Sequence, residues 1–86
     1  MKQIHHFVGG ASVVGTSGRR GPVYDPATGT VQAEVDFASV EEVDAAVAVA
    51  AAAFREWRHT SLSRRSEVLF RFRELVDANR KELAAV

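Results

Sequence analysis

The stretch Val23–Val35, read as VYDPATGTVQAEV, constrains this chain more than any other. Asp25-Pro26-Ala27-Thr28-Gly29 carries turn chemistry at both ends. The Asp25 carboxylate can accept from backbone N–H groups ahead of it, Pro26 presets φ, and Gly29 can take positive φ. From Thr30 to Phe37 the pattern then alternates. Val31, Ala33, Val35 and Phe37 share one face, with Thr30, Gln32, Glu34 and Asp36 on the other. This predicts a half-buried antiparallel strand with its polar face outward.

At Ser39-Val40-Glu41-Glu42 the period changes. These residues spell a capping box, in which Ser39 bonds the N–H of Glu42 and the Glu42 carboxylate reaches back. The helix that follows carries Val43, Val47, Ala50, Phe54 and Trp57 as one stripe. Small residues at Ala45, Ala46, Ala48 and Ala50–Ala53 let other elements approach, so this helix is expected to be buried on more than one side. His59-Thr60-Ser61 interrupts the pattern, and Ser61 or Ser63 can cap a second helix. Its stripe is Val68, Leu69, Phe72, Leu75, Val76, Asn79, Leu83 and Val86, with Glu67–Arg71 and Asp77–Lys81 as i,i+4 ion pairs. A connection this short predicts an antiparallel helical pair. The pattern is still apolar at Val86 and no C-capping glycine appears, which suggests a continuing chain.

Upstream, Ile4–Val8 reads as one short strand, Gly9-Gly10 as a turn, and Ala11–Val14 as its antiparallel return. His5 and His6 then point to opposite faces, against joint chelation of one metal. Gly15–Pro22 reads as a loop, with an extended segment resuming at Pro22. Its glycines and its arginines, Arg19 and Arg20, do not make a phosphate cradle, because a P-loop ends in Gly-Lys-Ser/Thr and opens a helix, whereas a strand follows here. The fold class is therefore α+β for the chain by itself: strands over about residues 4–37, then helices over about 39–58 and 62–86.

Eighty-six residues allow one domain at most, and chains this short bury only about 60% of their unfolded surface. Eleven basic and eleven acidic residues leave zero formal charge, so no global field favours nucleic acid or an anionic membrane. On the second helix Arg64, Arg65, Arg71, Arg73, Arg80 and Lys81 are offset by Glu67, Glu74, Asp77 and Glu82, a solvated face rather than a phosphate-binding stripe. The apolar run Ala45–Phe54 is far short of the about 20 residues that span a bilayer. No h-region follows Met1, so a cytoplasmic location is expected. There is no cysteine, which removes disulfides, thiolate ligands and a thiol nucleophile. His5, His6 and His59 lack zinc-ligand spacing. Carboxylates are expected on strand exteriors and helix faces, with no base–nucleophile pair. No catalytic, cofactor-binding or metal residue is assigned.

His6-Phe7-Val8-Gly9-Gly10, Asp25-Pro26-Ala27-Thr28-Gly29, Val43-Asp44-Ala45-Ala46-Val47 and Ala53-Phe54-Arg55-Glu56-Trp57 occur in this order and spacing. The series resembles the N-terminal region of the NAD(P)-dependent aldehyde dehydrogenase superfamily, over about residues 5–86. Gly21–Gly29 and Arg64–Phe72 look most like its methylmalonate-semialdehyde dehydrogenase branch, which is CoA-acylating. The family's usual turn asparagine is Asp25 here. The resemblance implies part of a Rossmann-like α/β cofactor-binding domain, with NAD and CoA serving the parent enzyme and neither bound by this chain. It places the nucleophilic cysteine, the catalytic Asn and Glu, and the cofactor-binding Lys and Gly residues beyond the matched region.

Two readings follow. In the first, the chain is an inactive N-terminal scaffold whose partner is the remainder of a dehydrogenase. In the second, it is a stand-alone interaction or assembly module that self-associates through exposed apolar helix faces.

Overall fold

In the computed structural model, which describes residues 2–86, the alternating segment becomes the middle strand of a three-stranded sheet. The elements are β1 (Lys2–Ile4), β2 (His6–Val8), β3 (Ala11–Val13), β4 (Arg20–Tyr24), β5 (Val31–Asp36), α1 (Val40–Trp57), α2 (Leu62–Ala78) and α3 (Arg80–Ala84). Sheet order is β1-β5-β4, and β2 and β3 form a separate pair.

β4 and β5 run antiparallel, from Arg20↔Asp36 to Tyr24↔Val31, with a register shift between Val23 and Tyr24. The turn between them is built as its residues predict. Asp25 Oδ1 accepts from Ala27 N at 2.8 Å. The Asp25 carbonyl accepts from Gly29 N at 2.7 Å, and Asp25 N donates to the Thr30 carbonyl at 2.7 Å. Gly29 takes φ 76° to launch β5. β4 starts two residues earlier than expected and includes Pro22, tolerated because β4 is an edge strand where one missing N–H costs no ladder bond. Gly21 is buried beneath the Phe37 ring; a Cβ there would lie 2.3 Å from Phe37 Cζ.

The single strand expected over Ile4–Val8 is two strands. β1 pairs parallel with β5, Lys2↔Ala33 to Ile4↔Val35. β2 pairs antiparallel with β3, His6↔Val13 to Val8↔Ala11. The break falls at His5, whose side chain is drawn to Asp36. Gly9 and Gly10, at φ 62° and 81°, close the two-residue turn, which needs positive φ at both positions.

Ala33 is the one buried apolar side chain among the described residues. The polar face of β5 differs from expectation: Asp36 is only 6% exposed. The helices depart from expectation as well, since no residue of α1, α2 or α3 is buried. Phe54 and Trp57 remain 59% and 45% exposed. Among the described residues, no helix is long and apolar enough to cross a membrane.

Both helix starts form as predicted. Glu42 N donates to Ser39 Oγ and Ser39 N to Glu42 Oε1, each at 3.1 Å. Ser61 accepts from Arg64 N at 3.2 Å. The second helix does not run unbroken to Val86. Asn79 leaves helical geometry (φ −109°, ψ 20°), and its Nδ2 donates to the Leu75 carbonyl at 2.8 Å. A short polar side chain competing for backbone groups ends α2, and α3 restarts after it. The expected i,i+4 pairs are replaced by i,i+3 pairs, Arg64–Glu67 and Asp77–Arg80. By chain contacts the molecule forms two units, one ending at Phe54 and one spanning Arg55–Val86.

Two substitutions test the local framework. Ser39→Ala removes the α1 cap and is expected to lower unfolding free energy by about 1 kcal/mol. Gly29→Ala puts a Cβ on a left-handed residue and is expected to cost about 1–2 kcal/mol. Urea titration followed by circular dichroism measures both.

Candidate functional site

The most organised polar cluster lies in the first unit, at the end of β5. The buried Asp36 carboxylate collects three donors from separate parts of the chain. His5 Nδ1 lies 2.7 Å from Oδ2, Gly15 N donates to the same oxygen at 2.9 Å, and Arg20 Nε donates to Oδ1 at 3.4 Å. Register explains Arg20, which faces Asp36 across the β4–β5 ladder. Gly15 is there because the backbone must come close: a Cβ at that position would lie 2.8 Å from Asp36 Cβ.

These hydrogen bonds, that from His5 foremost and that from the Gly15 amide next, hold the Asp36 carboxyl down at about 2, against the opposing effect of burial. An ionised carboxylate only accepts, so His5 carries a proton on Nδ1. With its amide oxygen turned toward the guanidinium, Gln3 on β1 accepts from Arg20 Nε at 2.8 Å. Arg20 thus links all three strands of the sheet.

A second carboxylate stands beside the first. Glu42 closes the capping box with one oxygen, and its other oxygen accepts from Thr16 N at 3.2 Å. The Ser39 amide first, and the Thr16 amide with it, lower its pKa. His6 Nε2 lies 3.5 Å from Glu42 Oε2 and makes no hydrogen bond. His5 and His6 therefore go to different carboxylates.

A His–Asp pair is two parts of a nucleophile-activating relay; the third would be a hydroxyl or thiol on the imidazole's other nitrogen. Among the described residues no hydroxyl bonds to His5. Ser17 Oγ donates to the Phe37 carbonyl and accepts from Arg19 N. No group of three His, Cys, Asp or Glu side chains gathers to hold a metal among the described residues. Arg19 donates to the Ala38 carbonyl at 3.0 Å and Arg20 to Asp36 Oδ1, so both guanidiniums, though exposed, have partners within the chain. What the cluster does chemically is join residues 5, 15 and 20 to β5. Sequence reading missed Asp36 as its centre because alternation placed it outside. The available signal was an acid in register with an arginine across a hairpin.

The linkage sign is fixed by the lowered pKa. An unfolded Asp36 takes up its proton near the usual aspartate value, about 3.9, whereas the folded one holds out to about 2. Its contribution is complete above about pH 4 and is lost as pH falls toward 2. Asp36→Asn is expected to destabilise the chain at neutral pH and to flatten the acid limb of stability between pH 5 and 2. Urea midpoints collected over that range provide the check, and an unchanged acid limb would contradict the assignment.

Comparison with known proteins places this geometry. The model of the aldehyde dehydrogenase family matches residues 13–86. Malonate-semialdehyde dehydrogenase 2 of Geobacillus thermodenitrificans is 48% identical over 83 residues, 96% of this chain and 17% of the relative. Malonate-semialdehyde dehydrogenase of Halalkalibacterium halodurans is 40% identical over 83 residues, again 17% of its length. A crystal structure from Sinorhizobium meliloti 1021 in complex with NAD, assigned to methylmalonate-semialdehyde dehydrogenase, superposes with a TM-score of 0.92 at 42% identity. That match covers 99% of this chain and 17% of the solved one. The chain thus spans about 17% of the length of the relatives it matches. With a family model, close relatives and a shared backbone all in agreement over nearly every residue, this chain belongs to the aldehyde dehydrogenase family.

Proposed function

We propose that this chain is an N-terminal scaffold segment of an NAD-dependent aldehyde dehydrogenase, working in the cytoplasm. The parent reaction is oxidation of malonate or methylmalonate semialdehyde to the acyl-CoA through a cysteine thioester. The relatives' names support the substrate class, and the NAD bound to the structural relative supports the cofactor. CoA as acyl acceptor rests on the resemblance to the methylmalonate-semialdehyde branch. In the whole enzyme NAD would take up the hydride. The residues of this chain do not build its site: the arginines of the glycine-rich segment are held by Ala38 and Asp36, and there is no cysteine to carry the acyl group.

One observation carries the scaffold reading. The chain exposes 7365 Å² of surface at a mass of 9.4 kDa, whereas a folded monomer of that mass exposes about 5,000 Å². The excess, roughly 2,400 Å², is about three times the share one partner contributes to a standard protein interface. It includes Phe7, Val47, Phe54, Trp57, Leu69 and Phe72, all at least 45% exposed. Surface on that scale belongs to a domain interior, and the missing five-sixths of the relatives' length is the natural cover.

The purified chain, given malonate semialdehyde and NAD with or without CoA, is expected to form no NADH. Steady NADH production that survives repurification would overturn the proposal.

A further inference from the structure

Two carboxylates divide two pairs of neighbouring residues between them. Asp36 takes His5 Nδ1 and the Gly15 amide, whereas Glu42 takes the Thr16 amide and faces His6. Residues 5 and 6 of one segment and 15 and 16 of another are thus shared out in the same order. Asp36 ends β5, and Glu42 lies in the first turn of α1. The loop residues that follow hold the connection between these two elements. Ser17 Oγ donates to the Phe37 carbonyl, Phe37 N to the Arg19 carbonyl, and Arg19 Nη2 to the Ala38 carbonyl.

No residue of α1 is buried, so apolar packing contributes little to the direction in which it leaves the sheet. Among the described residues, one hydrogen bond joins α1 to the chain before Phe37, that from Thr16 N to Glu42 Oε2. The other group at that oxygen is His6. Its Nε2 is closed to solvent, lies 3.5 Å from Glu42 Oε2, and is so near Gly15 that a Cβ there would come within 3.1 Å. Glu42 has a pKa lowered by the Ser39 amide first and the Thr16 amide with it, and an ionised carboxylate only accepts. A bare ring nitrogen facing that oxygen would set lone pair against lone pair with no water between them. His6 Nε2 therefore carries a hydrogen. His5 carries its own on Nδ1, toward Asp36.

We propose that His6, as an Nε2–H donor, and the Thr16 amide form a latch on Glu42 that fixes the direction of α1 relative to the sheet. Adjacent histidines then hold opposite protonation sites: Nδ1 of His5 registers the chain on β5, and Nε2 of His6 registers it on α1. His6 is a positioning residue. Cap and latch use different oxygens of one side chain, Oε1 for Ser39 N and Oε2 for Thr16 N. Nothing in the latch depends on which reaction the parent enzyme performs.

Because the chain has no cysteine, spin labels can be confined to two introduced sites, Gln32→Cys on β5 and Ala52→Cys on α1, both exposed. Their distance distribution, read by pulsed electron paramagnetic resonance, reports the direction of α1. Glu42→Gln keeps the capping box, which accepts Gln as well as Glu, but turns an NH2 toward Thr16 N and His6. It is expected to broaden the distribution about twofold while helix content by circular dichroism stays within about a tenth. His6→Phe, a ring without a donor, is expected to broaden it similarly, and His6→Gln, whose Nε2 donates in place of the imidazole's, to keep the original width. Long-range proton–nitrogen correlation spectra of the neutral rings are expected to show His6 protonated on Nε2 and His5 on Nδ1. An unaltered width in Glu42→Gln and His6→Phe overturns the latch, as does a His6 ring protonated on Nδ1. Helix loss in Glu42→Gln overturns it too, because the carboxylate would then serve the helix itself rather than its direction. A His6→Gln chain as broad as His6→Phe removes the donor role assigned to His6.

Discussion

The buried carboxylate of Asp36 is the constraint on which the ordered half of this chain depends. Its donors come from 31, 21 and 16 residues earlier, so one ion fixes the position of three segments that otherwise share little apolar contact. Ala33 is the lone buried hydrophobic residue among those described. Where a core is this thin, a saturated ionic cluster takes over the task of specifying one arrangement. The cost of burying the charge is offset by hydrogen bonds, and their net effect is visible in the lowered pKa.

The second unit works differently. α2 has a cap, an i,i+3 ion pair at each end and no buried side chain. Most helical stability in proteins comes from packing of an apolar face rather than from propensity, and α2 packs none of its own. Its Leu, Phe and Val residues amount to a hydrophobic stripe waiting for a surface, as the excess exposed area also says. The two units therefore differ in what holds them: one by an internal hydrogen-bonded cluster, the other by little beyond its own helical ladder and caps, with its apolar stripe exposed.

Much of this was readable from residues alone wherever the cause was local. The Asp25–Gly29 turn, the Gly9-Gly10 hairpin and both serine caps depend on neighbours within five positions, and each formed as its chemistry dictates. The misses have a common physical origin in distance along the chain. Nothing near Ile4 announces that it will lie parallel to Val35, or that His5 will leave its strand for Asp36. Asp36 itself follows the alternation, and only tertiary pairing reverses its exposure. The break at Asn79 is a local event hidden by a stronger periodic signal. Family resemblance was legible because its markers are turns and helix faces, whose residues stand together in the sequence.

The parallel pairing of β1 with β5 has a consequence for how the chain assembles. The β4–β5 ladder closes a loop of a few residues, while β1 must wait for a partner that follows it by about thirty positions. The closure entropy of that longer loop, together with the slower formation of non-local contacts, places the N-terminal strand late in the sequence of events. On a ribosome, residues 2–4 emerge before β5 yet find their place after it, once the His5–Asp36 bond has a β5 to attach to. Pulse-labelling hydrogen exchange would then show the β4–β5 amides protected ahead of those of β1. The order of synthesis and the order of folding run opposite to each other in this segment.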